Sequence, residues 1–569
     1  MRVSWGYLKR LLAGATFGHY MAHLLYVLNP QIEITPARLG IVTVAYGVIC
    51  GLLFGSILWG LHALRVRLFG RDEQNEERRH GLGLVVAAAF VSAAVYWLHL
   101  YLFRIYLPSG AVRILRIATN VTTATAFCLF LLWLVERNAG RRLSRALFVS
   151  AAALIALSAF FLYQRRESYR PDIRSPVVAN IGAVAGKSPV IVVAIRDLPY
   201  DWLITAIGDS RLPFFQRVMD EGFLARVEPY PTTSRQSLWA SLATGQLPHR
   251  HGVTGRYSFQ TLLNAEGERF LILPSAVGFR AWGLIPPVKK ISAQLPSGDS
   301  LPFWTMFERL GLPALVVNWP SALPREGEGT ILVSDRFLER RGTEIHPSSL
   351  LAELERVRAE TERRAVRLSG DVRNRDRVEA AVRLDLVAVR TLDQLLVRES
   401  FSLSVIALPA LSVMARAIGV DGNRLPSAGT PEAAVIRRHL EEIDRLLEGM
   451  RSGFPQATII VVSPSGPKPP TLPANPIAML KSFQESQDPG SDDGVLAMLG
   501  GGIVQRERNP VARVVDVVPT ILFAAGLPVA RDMDGRVVTE AFGEPFLREN
   551  ALSMIQTYKA SRLIVHRAQ

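Results

Sequence analysis

The chain has 569 residues, of which 49% are hydrophobic and 20% charged, with a mean hydropathy of +0.20 and a formal charge of +15. So apolar a chain can bury a core, which excludes disorder, and its two cysteines, Cys50 and Cys128, lie in apolar runs and make no disulfide framework. Residues 1–180 hold 20 Lys+Arg against 8 Asp+Glu, whereas residues 181–569 hold 45 against 42, so the basic excess sits in the most apolar third. That distribution speaks for membrane topology and against a nucleic-acid partner.

Residues 1–163 read as a helical transmembrane bundle of about five spans. Leu39–Leu61, Gly81–Phe103, Ile117–Val135 and Ala146–Tyr163 are apolar runs near the roughly 20 residues that a bilayer crossing takes. A fifth run, Leu11–Leu28, carries His19 and His23, and an interfacial or re-entrant helix is the alternative for it. Arginines crowd the connectors after the second run (Arg65, Arg67, Arg71, Arg78, Arg79) and after the fourth (Arg137, Arg141, Arg142, Arg145). The connectors Asn29–Arg38 and Arg104–Arg116 are poorer in charge, so the positive-inside rule places the N-terminus in the cytoplasm and the large C-terminal part outside it. Arg165, Arg166, Arg170 and Arg174, directly after the last run, oppose that orientation.

A basic tether, 164–187, leads into a domain at 188–545, with a tail at 546–569. Pro189–Ile195, Ala314–Asn318, Thr330–Val333, Leu403–Leu408 and Ala457–Val462 read as buried strands. Pro213–Glu221, Ser348–Arg367, Arg375–Arg398 and Pro431–Met450 read as helices between them. The alternation argues an α/β fold with a mostly parallel central sheet covered by helices, whose ligands sit beyond the carboxyl ends of the strands. Gly500-Gly501-Gly502 is a turn, with no Lys-Ser/Thr to make it a phosphate loop. Lys289-Lys290, in a Pro-rich insertion between Arg256 and Pro302, suit a lid or a membrane-surface contact.

Several motifs carry a resemblance. Pro213-Phe214-Phe215, Trp239–Gly245 and His249-Arg250-His251-Gly252 open it. Val317-Asn318-Trp319-Pro320, Ser334-Asp335-Arg336, Asp516-Val517-Val518-Pro519-Thr520 and Asp532-Met533-Asp534-Gly535 continue it in order. From about Pro189 to Arg536 the chain resembles the type I phosphodiesterase/nucleotide pyrophosphatase family of the alkaline phosphatase superfamily. The resemblance implies an alkaline-phosphatase-like domain, two divalent metals, usually zinc, held by carboxylates and imidazoles, and a Thr or Ser nucleophile.

Carried over residue by residue, those positions are filled by other chemistry. Arg196 stands at the first metal ligand and Arg235, ten residues before Gly245, at the nucleophile. Leu408–Met414 lacks the Asp and His expected there, Ser463-Pro464-Ser465-Gly466 replaces Ser-Asp-His-Gly, and the last His falls on Gly490. Pro, Ala, Met and Gly offer no hard anionic ligand, and a guanidinium keeps its proton. Rescue from neighbours would draw on Ser234 as nucleophile and on Asp197, Asp492 or Asp493, beside Asp488, as metal ligands; a helix cap, a turn and a solvated acidic loop are their plainer roles. His249 and His251 match scaffold positions.

The expectation is therefore a catalytically inactive, membrane-bound binding or scaffolding protein of the cell envelope, with no metal cofactor, its large domain outside a bacterial inner membrane. Its partners would be the bilayer, an envelope lipid- or glycan-modifying enzyme, and a phosphate-bearing ligand held by Arg196 and Arg235, each of which could equally be neutralised by Asp197 or Asp335. The alternative is an active, zinc-dependent phosphodiesterase or phosphoryl transferase with a relocated site.

Overall fold

The computed structural model describes residues 5–565, apart from 70–80, 139–140, 168–177, 182–187, 210–211, 231–233, 256, 262–263, 265–267, 275–287, 296–299, 325–328, 364–371, 420–424, 426–428, 468–492, 506–509 and 560–561. These residues divide into two compact units. The first draws its described residues from Met1–Ile173 and Tyr257–Ser292, the second from the remainder.

In the first unit, helices α1 (Trp5–Val27), α2 (Pro36–Phe69), α3 (Gly81–Phe103), α4 (Ser109–Asn138) and α5 (Arg141–Glu167) pack together. Among the described residues, three stretches rather than five are long and apolar enough to cross a membrane: Pro36–Leu61, Leu82–Tyr106 and Ser109–Arg137. The expectation of about five spans is corrected by what α1 and α5 are made of. In α5 the apolar stretch shrinks to Val149–Gln164. In α1, Lys9, Arg10, His19 and His23 interrupt the run, and none of its described side chains is exposed, so its neighbours wrap it. The apolar side chains turned outward belong to the other helices, for example Ile41, Val44 and Ile57 on α2, Trp97 on α3, Leu131 on α4 and Phe160 on α5.

The second unit holds a nine-stranded sheet. Its strands are β1 (Val190–Ile195), β2 (Phe223–Glu228), β3 (Ala314–Val317), β4 (Ile331–Val333), β5 (Ile345–His346), β6 (Leu403–Leu408), β7 (Thr458–Ser463), β8 (Gly494–Leu499) and β9 (Val511–Arg513). They lie in the order β9-β2-β8-β7-β1-β6-β3-β4-β5. The run β7-β1-β6-β3-β4 is parallel, β8 is antiparallel to both its neighbours, and β5 is antiparallel to β4. Side chains alternate along β1. Val190, Val192 and Ala194 join one core with helices that include α6 (Arg235–Thr244); Ile191, Val193 and Ile195 join the other. That second core also takes α7 (Arg375–Leu396), α8 (Ala410–Ile418) and α9 (Pro431–Gly453). Burial on both faces is why these strands read as unbroken apolar runs. Within the segment read as a tether, Val178–Ile181 forms a strand parallel to Arg562–Val565.

Candidate functional site

The central parallel strands β7, β1 and β6 deliver their carboxyl ends side by side. The Arg196 N–H donates to Leu408 O at 3.0 Å, continuing the β1–β6 ladder one step beyond Ile195. Asp197 then takes φ +64°, a left-handed conformation that Asp tolerates better than most residues, and the chain leaves the sheet. On the other side the Leu198 N–H donates to Ser463 Oγ at 3.0 Å, and that hydroxyl donates to Ser465 O at 3.0 Å. The turn after β7 rests on Gly494, where a Cβ would lie 1.9 Å from Ser463 O. The three strand ends are thereby drawn together by short polar links.

Asp197 lies at the centre, 1% exposed. Its Oδ2 accepts from Arg235 Nη1 and from the Ser412 hydroxyl on α8. Arg235 is the first residue of α6, and its Nη2 donates to Pro467 O at 2.8 Å. The Arg235 side chain thus reaches back to the loops after β1 and β7. Burial pushes the Asp197 carboxyl upward, opposed by Arg235 and the Ser412 hydrogen bond. Its Oδ1 is buried without a hydrogen-bond partner among the described residues.

Arg196 is held differently. Its guanidinium lies over the Trp239 ring at 5.7 Å and has no hydrogen-bond or ion-pair partner among the described residues. It is half-buried, and its charge acts on Asp197, Asp335 and Asp385. Asp335 accepts the Ser321 N–H at 3.2 Å, and burial raises its pKa. Asp385, on α7, accepts the Ala410 N–H at 3.0 Å through Oδ1 and meets His439 Nε2 at 3.2 Å through Oδ2, so one buried pair fixes the start of α8. Beside Trp239 is a small recess lined by Gln236, Val253, Gln294, Leu295, Pro320 and Ser321 among others.

The other site candidates scatter. Ser234 occupies the N-cap position of α6, buried, without a capping hydrogen bond, and its Oγ donates to Gln236 Oε1 at 3.0 Å. Asp493 stands 3.7 Å from Arg226, and its carbonyl accepts the Tyr200 N–H at 3.0 Å. Asp488, Gly490 and Asp492 lie outside the described residues. His251 is fully buried between Ser241 Oγ at 3.0 Å and the Val253 N–H at 3.0 Å, a position that ties α6 to the following loop. Burial lowers its pKa to about 3.

These donors do not fit a pair of divalent metals. Among the described residues no three His, Cys, Asp or Glu side chains come together; a fixed guanidinium already occupies one Asp197 oxygen, and Asp385 is taken up by the Ala410 N–H and His439. Two of the contributors, Ser412 and Trp239, were in view in the sequence only as a ligand-free stretch and a scaffold motif. Neither bears a signal of its own, because their roles come from the partner that folding brings to them.

The family model for type I phosphodiesterase/nucleotide pyrophosphatase matches residues 200–514, more than half of the chain. The chain belongs to this family. Among solved structures, alkaline phosphatase PafA matches with a TM-score of 0.41 at 10% identity, covering 66% of this chain and 100% of that one. A putative sulfatase from Bacteroides thetaiotaomicron gives 0.40 at 11% identity, covering 63% and 74%, and murine ectonucleotide pyrophosphatase/phosphodiesterase 5 gives 0.36 at 10%, covering 62% and 100%. No curated protein gives a match. The type I phosphodiesterase fold here follows apolar helices long enough to cross a membrane.

Proposed function

We propose that this family member is a catalytically inactive, membrane-anchored binding protein of the cell envelope, in which Arg196 holds a phosphate-bearing group. One observation carries the reading: the residue at the nucleophile position, Arg235, is ion-paired with Asp197 at the carboxyl ends of the central strands. A guanidinium bound to a buried carboxylate neither attacks phosphorus nor leaves room for a cation beside that oxygen. Arg196 keeps its donors for a ligand, and an aromatic face behind a guanidinium orients its planar edge without consuming its hydrogen bonds. Arg235 then acts as the positioning group that fixes Asp197 beneath it. A phosphorylated lipid or glycan, passed to or from an envelope enzyme, is the ligand class that suits a membrane-held site of this charge.

An extracytoplasmic placement of the large domain is supported by how the first unit is assembled. Ala151 of α5 clusters with Leu82 and Leu129, and Leu162 clusters with Ile32 and Ile34, so α5 runs back along the bundle to the end where the α1–α2 connector lies. The connectors at that end are the charge-poor ones.

The test uses the full chain purified in detergent. Inorganic phosphate is expected to bind in the presence of EDTA and to lose at least tenfold in affinity in Arg196→Ala, about 1.4 kcal/mol and the size of one charge-assisted contact. Unchanged affinity in the variant would sink the anion site. A nitrophenyl phosphodiester is expected to show no turnover with added zinc; zinc-dependent turnover that Ser234→Ala abolishes would replace the proposal with an active phosphodiesterase.

A further inference from the structure

The insertion Tyr257–Ser292 packs as part of the helical unit. Asn29, two residues beyond α1 and fully buried, donates Nδ2 to Leu25 O and to Ile272 O, both at 2.7 Å. Its Oδ1 accepts from the Leu271 N–H at 2.8 Å and the Ile272 N–H at 3.2 Å. One side-chain amide thus grips the insertion backbone as an adjacent strand would. Phe270, 1% exposed, meets the Tyr26 ring edge-on at 6.2 Å, Gln31 donates to Arg269 O at 3.2 Å, and Arg38 pairs with Glu268 at 3.1 Å.

From that clamp the insertion extends outward in rows. Phe270 exchanges backbone hydrogen bonds of 2.8 Å with Phe259, and Phe259 and Gln260 stand opposite Lys290 and Lys289 in an antiparallel pair. Rows spaced about 4.8 Å apart put the outermost strand, Val288–Ser292, three steps and roughly 14 Å from the connector. The connector leads directly into the apolar stretch Pro36–Leu61, so it stands where hydrocarbon ends and headgroups begin. Lys289 and Lys290 are exposed on the two faces of that strand, Lys290 lies 6.0 Å over the Tyr257 ring, and Arg104 and Arg113 are exposed near the same end of the bundle. A tyrosine under an ammonium group suits the bilayer interface, where long basic side chains reach for phosphates.

We propose that the strand Val288–Ser292 is a headgroup-contact element, with Lys289 and Lys290 engaging anionic phospholipids and Asn29 setting their height. The proposal rests on the membrane anchor. Its rival is that the two lysines only guard an edge strand against pairing with another chain, a role indifferent to lipid.

The full chain, reconstituted in phosphatidylcholine vesicles with or without phosphatidylglycerol, is treated with a membrane-permeant lysine-acylating reagent and each site is followed by mass spectrometry. Acylation of Lys289 and Lys290 is expected to slow about fivefold in the anionic vesicles, equivalent to about 1 kcal/mol per lysine, and to recover in high salt. Asn29→Ala keeps both lysines and is expected to lose the protection. The surface variant Lys289→Gln/Lys290→Gln, which leaves the clamp intact, is expected to co-purify with less phosphatidylglycerol than the parent. Equal acylation rates in the two lipids, or unchanged lipid enrichment in the double variant, overturn the proposal. Release of the protein from vesicles by alkaline carbonate overturns the anchor itself, a separate result.

Discussion

At the scale of single residues, Asp197 is the position on which the site turns. Removing its carboxylate leaves Arg235, whose side chain is 13% exposed, without its buried counter-charge. Asp197→Ala is expected to cost on the order of 3–5 kcal/mol in chemical denaturation, whereas Asp197→Asn, which accepts φ +64° and can still take a hydrogen bond from Ser412, is expected to cost less. Equal, small losses in both would mean that the pair contributes little. His251 gives a second test with a defined sign. Its folded pKa of about 3 lies below the usual value of 6.5, so the unfolded chain binds the extra proton and stability falls as pH drops through that window. The expected loss from this one group is about 2 kcal/mol between pH 7 and pH 5. His251→Asn should be less stable at pH 7 yet lose less on acidification, checked by unfolding midpoints at the two pH values; an unaltered acid slope would contradict the assignment. The resemblance implies a ligand at Arg196, a hydroxyl nucleophile at Arg235 and further ligands within Leu408–Met414, and the residue types there were legible in the sequence as unlike those groups. Which arginine would be neutralised was not, since Arg196 and Arg235 have the same chemistry and only their distances to Asp197 and Trp239 separate them.

Among elements, the strands buried on both faces were legible because their apolar runs have no other use. Leu403–Leu408 is seen where the sequence places it, and Thr458–Ser463 is one residue displaced. Phe223–Glu228 was missed because Arg226 and Glu228 break its run, and Gly494–Leu499 because it follows directly on Asp492 and Asp493, whose plainer role was a solvated acidic loop. The same attention to hydropathy hid what holds α1 to α2. Gly14 and Gly18 stand four apart on α1, where a Cβ would lie 2.5 Å from Cys50 O and 2.2 Å from Tyr46 O; on α2, Gly51 and Gly55 face Leu11. Small residues at this spacing let helix backbones touch, the main source of attraction where hydrocarbon surrounds both. Gly18→Leu is expected to lower the midpoint of SDS-induced unfolding in micelles, by about 1–3 kcal/mol of overpacking, while Gly60→Leu, with nothing within 4 Å of its Cβ position, leaves it unchanged. Parity between the two variants would remove the glycines from the account of this helix pair.

For the whole molecule, the charge of +15 is concentrated where the apolar helices are. Most of it lies in residues 1–180, where the arginine-rich connectors alternate with poor ones along the bundle. The count of about five spans fails at both ends of the bundle, because α1 is polar enough to need wrapping and α5 carries too short an apolar stretch. Packing supplies a sidedness argument independent of that count. Asn29, in the connector between α1 and α2, and Arg38, in the first turn of α2, hold residues 268–272, which belong to an insertion in the chain of the α/β domain. Whichever side of the membrane the connector occupies, residues 268–272 occupy it too. In the proposed orientation the charge-poor connector is the outer one and the α/β domain is extracytoplasmic. A reporter enzyme that matures only outside the cytoplasm is therefore expected to be active when fused after Gln569 and inactive when fused after Arg79, in the arginine-rich connector. The reverse pattern would place the domain in the cytoplasm and overturn the proposed orientation.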